Sequence, residues 1–406
     1  MTSTLQETKD YQYKKENISI LVILIVLFIN FYDFQPLWNT FSIIKLIVII
    51  PLFLYCLSTI ITSRGIFSLP IKLIIGSILF SLFTARFSWG QSFWQSFREI
   101  PYYMGYLLYF FLIRKDISEK KLEKIILIFS ILYIVLYIFQ FINYDHLVFG
   151  AWTTTGTSRG IIRILFSGEG FMFFGIAYFF DKVLKGERRY FYISVLSAFL
   201  IIMFMQVTRQ YILAVGVMVL FGLMRKSKIY LKVLAVLLVI IATNIYQYSS
   251  NPMIEGMRAD QEADIELKDD YIRVIAGNYF LTELAPDKFA AIFGNGIPSY
   301  SSEYGKEYYT NLTAEEGFFF DDLGLIGGYA LFGIIYVIGY LMIAYKTIRY
   351  NPGYEGEYLR YYILMIFVMS LTSRSVLGNG FVVPTVMVLY LYERYYCMKL
   401  EENEND

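Results

Sequence analysis

Arginines in short connections between apolar segments are the side chains of this sequence best suited to chemistry. Six of these arginines, and no lysine, fall in alternate connections: Arg86, Arg98, Arg159, Arg163, Arg209 and Arg374. A guanidinium group binds a phosphate through a planar, bidentate fork and stays charged when partly removed from water. The set therefore indicates an anion site for a phosphate or diphosphate. The alternative is that each arginine separately reaches a lipid headgroup or pairs with a nearby acid.

The longest polar stretch, residues 247–322, adds two arginines and a dense set of acids. Arg258 and Arg273 extend the candidate anion site. Three acids near the end of the stretch are candidates for a general base: Glu316, Asp321 and Asp322. A carboxylate beside arginines can accept a proton from a hydroxyl group. The structural alternatives are an ion pair between Arg273 and the acids just before it, and aspartates that complement the dipole of the next helix.

Two glycines in the same stretch are candidates for close contact with a ligand. They belong to the segment Phe293-Gly294-Asn295-Gly296. Because Gly294 and Gly296 have no side chains, their backbone amides could approach a bound anion closely. Two glycines in a loop are weak evidence alone, so they support the anion site only together with the arginines.

Glu169 and His146 are further candidates with structural alternatives. Glu169 lies between two glycines in an apolar segment, so it is either a functional intramembrane acid or a partner in a helix-to-helix hydrogen bond. If one helix runs through this segment, Arg159 and Arg163 share a face and Glu169 lies about 80° from it. His146 is the single histidine, which excludes a multi-histidine metal cluster. A lone histidine in a loop is more often solvated than catalytic.

Apolar segments of membrane-spanning length must position these groups. A hydrocarbon layer of ~30 Å needs about 20 helical residues. About twelve segments qualify by that measure: 18–35, 41–61, 68–85, 98–113, 124–142, 161–181, 190–207, 209–224, 229–246, 323–345, 358–372 and 380–397. The predicted fold class is therefore an all-α, polytopic integral membrane protein.

Lysines and arginines in the remaining short connections predict the orientation, because they favour the cytoplasmic side. These connections are 114–121, 182–189, 225–228 and 346–360. Both termini are then cytoplasmic, and residues 247–322 form one large external loop with short helices, one of them within 267–284. The predicted organisation is a tail at 1–17, nine spans in 18–246, the external loop 247–322, three spans in 323–397 and a tail at 398–406.

The apolar run 190–224 must reverse direction. As a single helix it would be about 50 Å long, which exceeds the thickness of a bilayer, and both of its flanks are basic. We therefore expect a hairpin with its tip at residues 206–210, which brings Arg209 to the outer surface.

Composition agrees with a polytopic membrane protein and excludes several other classes. The chain has 406 residues, of which 57% are hydrophobic and 17% charged, and its mean hydropathy is +0.52. A net charge of +1 gives no basic field for nucleic acid. Cys56 and Cys397 both fall in apolar segments, so they indicate neither a disulfide framework nor a metal site.

In this layout the chain resembles the bacterial O-antigen polymerase and O-antigen ligase families, which are Wzy-like membrane glycosyltransferases. The shared features are many spans, one large external loop late in the chain, and an arginine followed by the Phe-Gly-x-Gly element at 293–296. Residues 321–327, Asp-x-Leu-Gly-Leu-Ile-Gly, are also similar, and the spacing from Arg159 to Gly170 matches the Arg-x10-Gly pattern of such polymerases.

The resemblance implies polymerisation of lipid-linked oligosaccharide repeat units for O-antigen, capsule or exopolysaccharide at the bacterial inner membrane. The glycan would pass from its polyprenyl diphosphate to a sugar hydroxyl, without metal, cofactor or nucleotide sugar. Arginines would stabilise the diphosphate leaving group, and a carboxylate would accept the hydroxyl proton. Expected partners are polyprenyl-diphosphate-linked oligosaccharides, membrane lipids and a chain-length regulator, with no nucleic acid.

Two alternatives remain open. A ligase would transfer finished polymer to a lipid A-core acceptor, but ligases are expected to have a functional histidine in the large loop, and residues 247–322 contain none. A multi-pass transporter or flippase of lipid-linked oligosaccharide would share the spans and the outer cations. Carriers usually show two related halves and intramembrane acids near the midplane, and here Glu169 is the clearest such acid.

Overall fold

The computed structural model describes most of the chain and is almost entirely helical. The described residues are 18–150, 157–158, 161–206, 208–226, 247–248, 250–251, 254–256, 258–259, 262, 266, 271–373 and 378–405. Within them, the β structure is an antiparallel pair of two-residue strands, β1 Thr157–Ser158 and β2 Ile161–Ile162, and an isolated antiparallel bridge between Phe34 and Phe149. The predicted all-α class is confirmed at this level. The predicted tail 1–17 and span 229–246 lie outside the described residues.

The helices are numbered here in chain order. They are α1 Ile18–Phe28, α2 Trp38–Thr62, α3 Ser68–Trp89, α4 Phe93–Glu99, α5 Leu107–Lys115, α6 Glu119–Ile142, α7 Glu169–Lys185, α8 Arg189–Met205, α9 Arg209–Lys226, α10 Ile272–Thr282, α11 Lys288–Phe293, α12 Glu303–Lys306, α13 Leu325–Arg349, α14 Glu357–Met369 and α15 Asn379–Asn405. A π-helix, Glu307–Glu315, follows α12 directly, and short 3₁₀ turns precede α2, α5 and α13.

Four helices of the described chain are long and apolar enough to cross a membrane. They are α2 with the turn before it (Gln35–Thr62), α3, α6 and α13. These helices agree with the predicted spans 41–61, 68–85, 124–142 and 323–345. Helices α1 and α8 are apolar but shorter. Length and composition therefore support four membrane-spanning helices in the described residues, and the predicted total of twelve is not confirmed.

Besides 18–35 and 323–345, which non-helical backbone interrupts at 30–33 and at Gly333, three predicted spans are only partly α-helical: 98–113, 161–181 and 358–372. The first is divided into α4, two 3₁₀ turns and α5, and Pro101, which lacks an N–H donor, lies in the first turn. The second becomes helical only at Glu169, after Gly168 with φ 103°. The third ends at Met369. In the first two spans, continuity was wrongly expected because hydropathy registers apolar composition, whereas a proline and a left-handed glycine decide where these helices begin.

Helices α5, α7 and α15 form the core of the helical bundle. Residues 104–112, 166–177 and 380–392 are buried without exception. Helix α15 packs against both α5 and α7, and α7 also contacts α6, α8 and α14. The buried stretches of these three helices are mostly apolar on all sides, as expected for segments that other helices surround.

The basic connections meet at one end of the bundle, which we call the basic end. Salt bridges join them: Lys185–Glu355 at 4.0 Å, Arg225–Glu357 at 2.9 Å and Arg394–Asp116 at 2.8 Å. The predicted cytoplasmic connections therefore share one side of the bundle. That this side is cytoplasmic stays a prediction.

The opposite end, which we call the loop end, contains the described residues of the segments 143–168, 206–208, 271–324 and 370–380. Helix α8 ends at Met205 and α9 begins at Arg209. Arg225 near the end of α9 lies at the basic end, as does the start of α8, so the chain reverses between these two helices. The predicted hairpin in 190–224 is confirmed.

A left-handed turn follows α1 and shortens the predicted span 18–35. The four residues Asn30–Asp33 all have φ between 45° and 60°. Left-handed backbone costs roughly 1–2 kcal/mol for each residue with a side chain, so other contacts must hold the turn. The Tyr32 hydroxyl donates to the Phe129 carbonyl at 2.6 Å, and Asp33 Oδ2 accepts from the Ser167 N–H at 2.6 Å.

Candidate functional site at the loop end

The large loop is attached to α13 at a break in that helix. Gly333 has φ 76° and ψ −174°, which interrupts the helix. Two carbonyls of the preceding turn instead accept hydrogen bonds from the N–H groups of Asn295 and Gly296, at 2.8 and 2.9 Å. Gly294 packs directly on the backbone at Gly333. The predicted binding glycines, Gly294 and Gly296, thus lie close to the backbone of α13, and the Gly296 amide already donates a hydrogen bond to that backbone.

The loop is also attached to the corner between α3 and α4. Trp89 Nε1 donates to Asn295 Oδ1 at 2.9 Å. The side chain of Gln91 is 1% exposed, and its Oε1 accepts from the Ser299 N–H at 2.9 Å and the Ser302 hydroxyl at 2.7 Å. Two membrane helices therefore fix the second half of the large loop in place.

Arg273 and Asp322 are a predicted anion-binding residue and a predicted base that the structure brings together. Arg273 Nη2 lies 3.8 Å from Asp322 Oδ2, and the side chains are 30% and 54% exposed. Tyr308 is adjacent, and its hydroxyl accepts from the Phe320 N–H at 3.1 Å. Burial raises the pKa of Tyr308 to about 12, and the charge of Asp321 adds to this shift. The group can bind an anion through Arg273, although Asp322 competes for that guanidinium.

Arg163 lies against the reversal between α8 and α9. Its Nε donates to the Gln206 carbonyl at 3.0 Å and its Nη2 to Thr208 Oγ1 at 3.1 Å. Arg209, half-buried, is the next described residue and begins α9. The structure therefore brings two predicted anion-binding arginines to the same place, although through a loop contact. The sequence did not predict this contact, because it predicted a helix before Glu169, where the structure has strand and turn.

Arg163 also belongs to a buried polar group, which we call the Glu169 pocket. It consists of Tyr133, Tyr137, Arg163, Glu169 and Gln206. Glu169 is 6% exposed, begins α7 and presses its carboxylate against Gly380. Gln206 Nε2 donates to the Tyr133 hydroxyl at 2.6 Å. Gln206 Oε1 and the Tyr137 hydroxyl are buried and have no hydrogen-bond partner within the described residues.

A second buried group, which we call the Lys45 cluster, was not singled out from the sequence. It consists of Asn30, Asp33, Ser42, Lys45 and Tyr102. The Lys45 ammonium lies 3.8 Å from the centre of the Tyr102 ring, and Asp33 is close enough to act on it electrostatically. The sequence does contain a signal for this cluster, because Asp33 and Lys45 are the only charged residues in the apolar segments 18–35 and 41–61. An intramembrane ionisable residue is a functional candidate by default.

Backbone and side-chain contacts connect these groups. The Asp33 carboxylate bonds to Ser167, two residues before Glu169. Glu99, at the end of α4, is close to Ser299 of the large loop. The backbone of Ser370 packs against Gly324, and Gly380 lies beside Glu169. The loop end is therefore one continuous region of contacts rather than a set of separate loops.

The other predicted site residues have local contacts or none that joins them to these groups. Arg86 is exposed and donates to the Gly90 carbonyl at 3.3 Å, and Arg98 is exposed on α4. Arg258 forms an ion pair with Glu262 at 3.9 Å, within one helical turn.

Glu316 is exposed at the end of the π-helix. His146 is 83% exposed and lies 3.6 Å from Asp145, as the solvated alternative expected. Arg159 and Arg374 lie outside the described residues.

The fold and the site together define an all-helical protein whose long apolar helices are typical of membrane proteins. No protein-family model matches the sequence, and no curated protein matches it either.

Proposed function

We propose that this protein is a membrane glycosyltransferase that polymerises lipid-linked oligosaccharide repeat units, the function that the family resemblance implies. The observation that carries the proposal is the Glu169 pocket. There, a buried carboxylate and a guanidinium group occur in one polar group, at the same end of the bundle as the large loop. The proposed reaction needs both chemical groups near the membrane boundary.

The proposed reaction forms a bond from a sugar hydroxyl oxygen to the anomeric carbon of the donor. At the same time, the bond from that carbon to the polyprenyl diphosphate breaks, and its electron pair leaves with the diphosphate. Arg163 and Arg209 would stabilise the negative charge on the leaving group. A carboxylate would accept the hydroxyl proton.

Glu169 is the acid that we favour as the base. Asp322 is 54% exposed and lies 3.8 Å from Arg273. Glu316 is exposed, so a proton acceptor there would compete with bulk water. Glu169 is instead 6% exposed at the start of α7, within electrostatic reach of Tyr133, so a proton acceptor there is shielded from bulk water.

Deletion of the gene in its native host, followed by gel analysis of surface polysaccharide, tests the function. Loss of the ladder with one repeat unit retained is the expected result. Polymer that stays on its lipid carrier while the acceptor is undecorated would instead identify a ligase. A normal surface glycan would refute both enzyme activities.

Glu169→Gln in the deletion strain tests the base, and we expect it to lose most of the polymer at normal protein level. Glu357→Gln is the matched control, because Glu357 is also a buried acid in the first turn of a helix, but at the basic end. The control should restore the ladder. A normal ladder from Glu169→Gln, with loss of the ladder in Asp322→Asn, would show that the loop acid is the base.

A carrier for lipid-linked oligosaccharide is the second candidate. It is favoured by the number of buried ionisable groups, since Asp33 and Lys45 accompany Glu169 at the loop end. A carrier would leave repeat units at the inner surface of the membrane in the deletion strain, whereas loss of a polymerase leaves single units at the cell surface.

A further inference from the structure

The Lys45 cluster has hydrogen-bonding capacity that the described residues do not use. Lys45 is 2% exposed within the candidate span Gln35–Thr62, and its ammonium makes no hydrogen bond there. Asn30 is 0% exposed, and its Oδ1 has no hydrogen-bond partner among the described residues. A buried donor and a buried acceptor without partners are each unfavourable, so the cluster is poised for a ligand.

Lys45 and Asn30 both lie close to the side chain of Tyr102. The Lys45 ammonium lies 3.8 Å from the centre of its ring, and its hydroxyl is close to Asn30 and Ser42. Tyr102 and Ser42 are partly exposed. The cluster is therefore closed around Lys45 and Asn30 but reaches the surface along Tyr102.

The left-handed turn at 30–33 is an independent observation that indicates a binding site. It presents the side chains of both Asn30 and Asp33 toward the cluster, although its backbone conformation is unfavourable for residues with side chains. Such strained backbone persists where surrounding contacts hold it, and it is concentrated at sites that bind or react.

The chemical nature of the unpartnered atoms selects the ligand. Asp33 can only accept hydrogen bonds, so the Asn30 amide nitrogen must face it, at 3.4 Å, and the oxygen must face away. The cluster therefore offers one donor, Lys45 Nζ, and one acceptor, Asn30 Oδ1. A hydroxyl group satisfies both. A phosphate oxygen has no proton for Asn30 and would be repelled by the Asp33 carboxylate.

We propose that the Lys45 cluster binds a hydroxyl group of the carbohydrate on the lipid-linked substrate, a subsite that rests on the proposed function. Lys45 Nζ donates to the hydroxyl oxygen, and the hydroxyl donates to Asn30 Oδ1. Lys45 lies seven residues after Trp38, the start of α2, which places it roughly 10 Å along the helix. Its side chain leans back toward the loop end. This depth suits the first sugar, next to the diphosphate.

The test uses the full chain in proteoliposomes with the lipid-linked repeat unit extracted from a host that lacks the gene. Initial elongation rates are measured against the concentration of that unit. Lys45→Met should raise the apparent KM roughly 10- to 100-fold, the effect of one hydrogen bond to a charged group, and leave kcat within about threefold. Asn30→Gly should act in the same direction, because glycine keeps the left-handed backbone and removes the amide.

Matched controls separate the subsite from general effects of the substitutions. Lys72→Met removes a lysine of the neighbouring helix whose ammonium already donates to the Ser63 carbonyl at 2.7 Å. Asp116→Gly changes a residue with φ 45° at the basic end. Both controls should keep the KM of the wild type.

A folded Lys45→Met variant with unchanged KM would overturn the subsite. Recovery of the wild-type KM in the Asp33→Asn, Lys45→Met double variant would also overturn it, because the ammonium would then only neutralise Asp33. If Lys45→Met does not fold, Asn30→Gly decides by the same KM criterion.

Thermal stabilisation by the lipid-linked unit separates the subsite from the proposed function. If the wild type binds the unit but does not elongate it, the polymerase function fails, and weaker binding by the variants still supports the subsite. If the wild type neither binds nor elongates the unit, both proposals fail.

Discussion

Replacing Gly294 by alanine should detach the large loop from α13. An added Cβ would lie 2.5 Å from both the Leu331 oxygen and the Phe332 nitrogen, distances that real Cβ atoms essentially never show. All the neighbouring atoms are backbone, so no side chain can rotate away. The conformation of Gly294, φ 83° and ψ 163°, is also one that residues with a side chain rarely adopt.

The expected destabilisation follows from these contacts. The backbone conformation costs roughly 1–3 kcal/mol for alanine, and overpacking against a rigid backbone adds about 1–3 kcal/mol. If the loop moves away to relieve the clash, the hydrogen bonds of Asn295 and Gly296 to α13 are lost, at about 0.5–1.5 kcal/mol each. The first route costs about 2–6 kcal/mol and the second about 1–3 kcal/mol, so we expect a loss of about 2–3 kcal/mol, a large fraction of the stability of a domain.

Thermal unfolding of the detergent-purified chain measures the loss, and tryptophan emission reports the detachment because Trp89 bonds to Asn295. Gly277→Ala in α10 is the matched control, since its Cβ would meet side-chain atoms no closer than 3.7 Å. That control should be neutral or stabilise by about 0.5–1 kcal/mol. Equal melting temperatures for Gly294→Ala and the wild type would refute the packing argument. Loss of polymer without loss of stability would then favour the ligand contact expected from the sequence.

Two further outcomes are expected. Arg163→Lys keeps the charge but cannot reach both the Gln206 carbonyl and Thr208 through a fixed fork, so polymer should fall at least about tenfold on gels. Arg258→Lys should make normal polymer, and an equal loss in both variants would contradict a specific role for Arg163. Tyr308→Phe leaves the Phe320 N–H without its acceptor, which should cost about 1–3 kcal/mol of unfolding free energy. Because the pKa of Tyr308 is raised to about 12 from 10.0, its contribution is complete below pH 10 and is lost between pH 10 and 12. The wild type should therefore lose more stability than Tyr308→Phe in alkaline melts, and parallel losses would contradict this.

The long helices could be predicted from the sequence because their apolar runs are uninterrupted. Helices α3, α6 and α13 match predicted spans closely, and the reversal in 190–224 followed from helix length and flanking charge alone. These conclusions use only local composition and the thickness of a bilayer, and both are properties of short stretches of sequence.

The contacts of the site could not be predicted because they join distant parts of the chain. Arg273 pairs with Asp322, whereas sequence proximity favoured the acids directly before it. The helical-face argument for Arg163 and Glu169 failed because Gly168 adopts φ 103° and ends the regular geometry on which the argument depended. Glycine permits such a conformation, but the neighbouring chain decides whether it occurs.

The loop end differs from the basic end in the kind of contact that holds it. The Arg394–Asp116 pair of the basic end is partly exposed on both sides, and such a pair contributes little and tolerates substitution. At the loop end, the break in α13 at Gly333 and the irregular backbone before α7, at Gly168, leave backbone groups that must find partners away from water. The large loop and Asp33 supply those partners, so each interruption depends on a segment that also carries candidate site residues. Irregular backbone at membrane depth is tolerated where it is buried in protein or lines a cavity. For this reason we expect the reaction at the loop end, although the basic end has more charged residues.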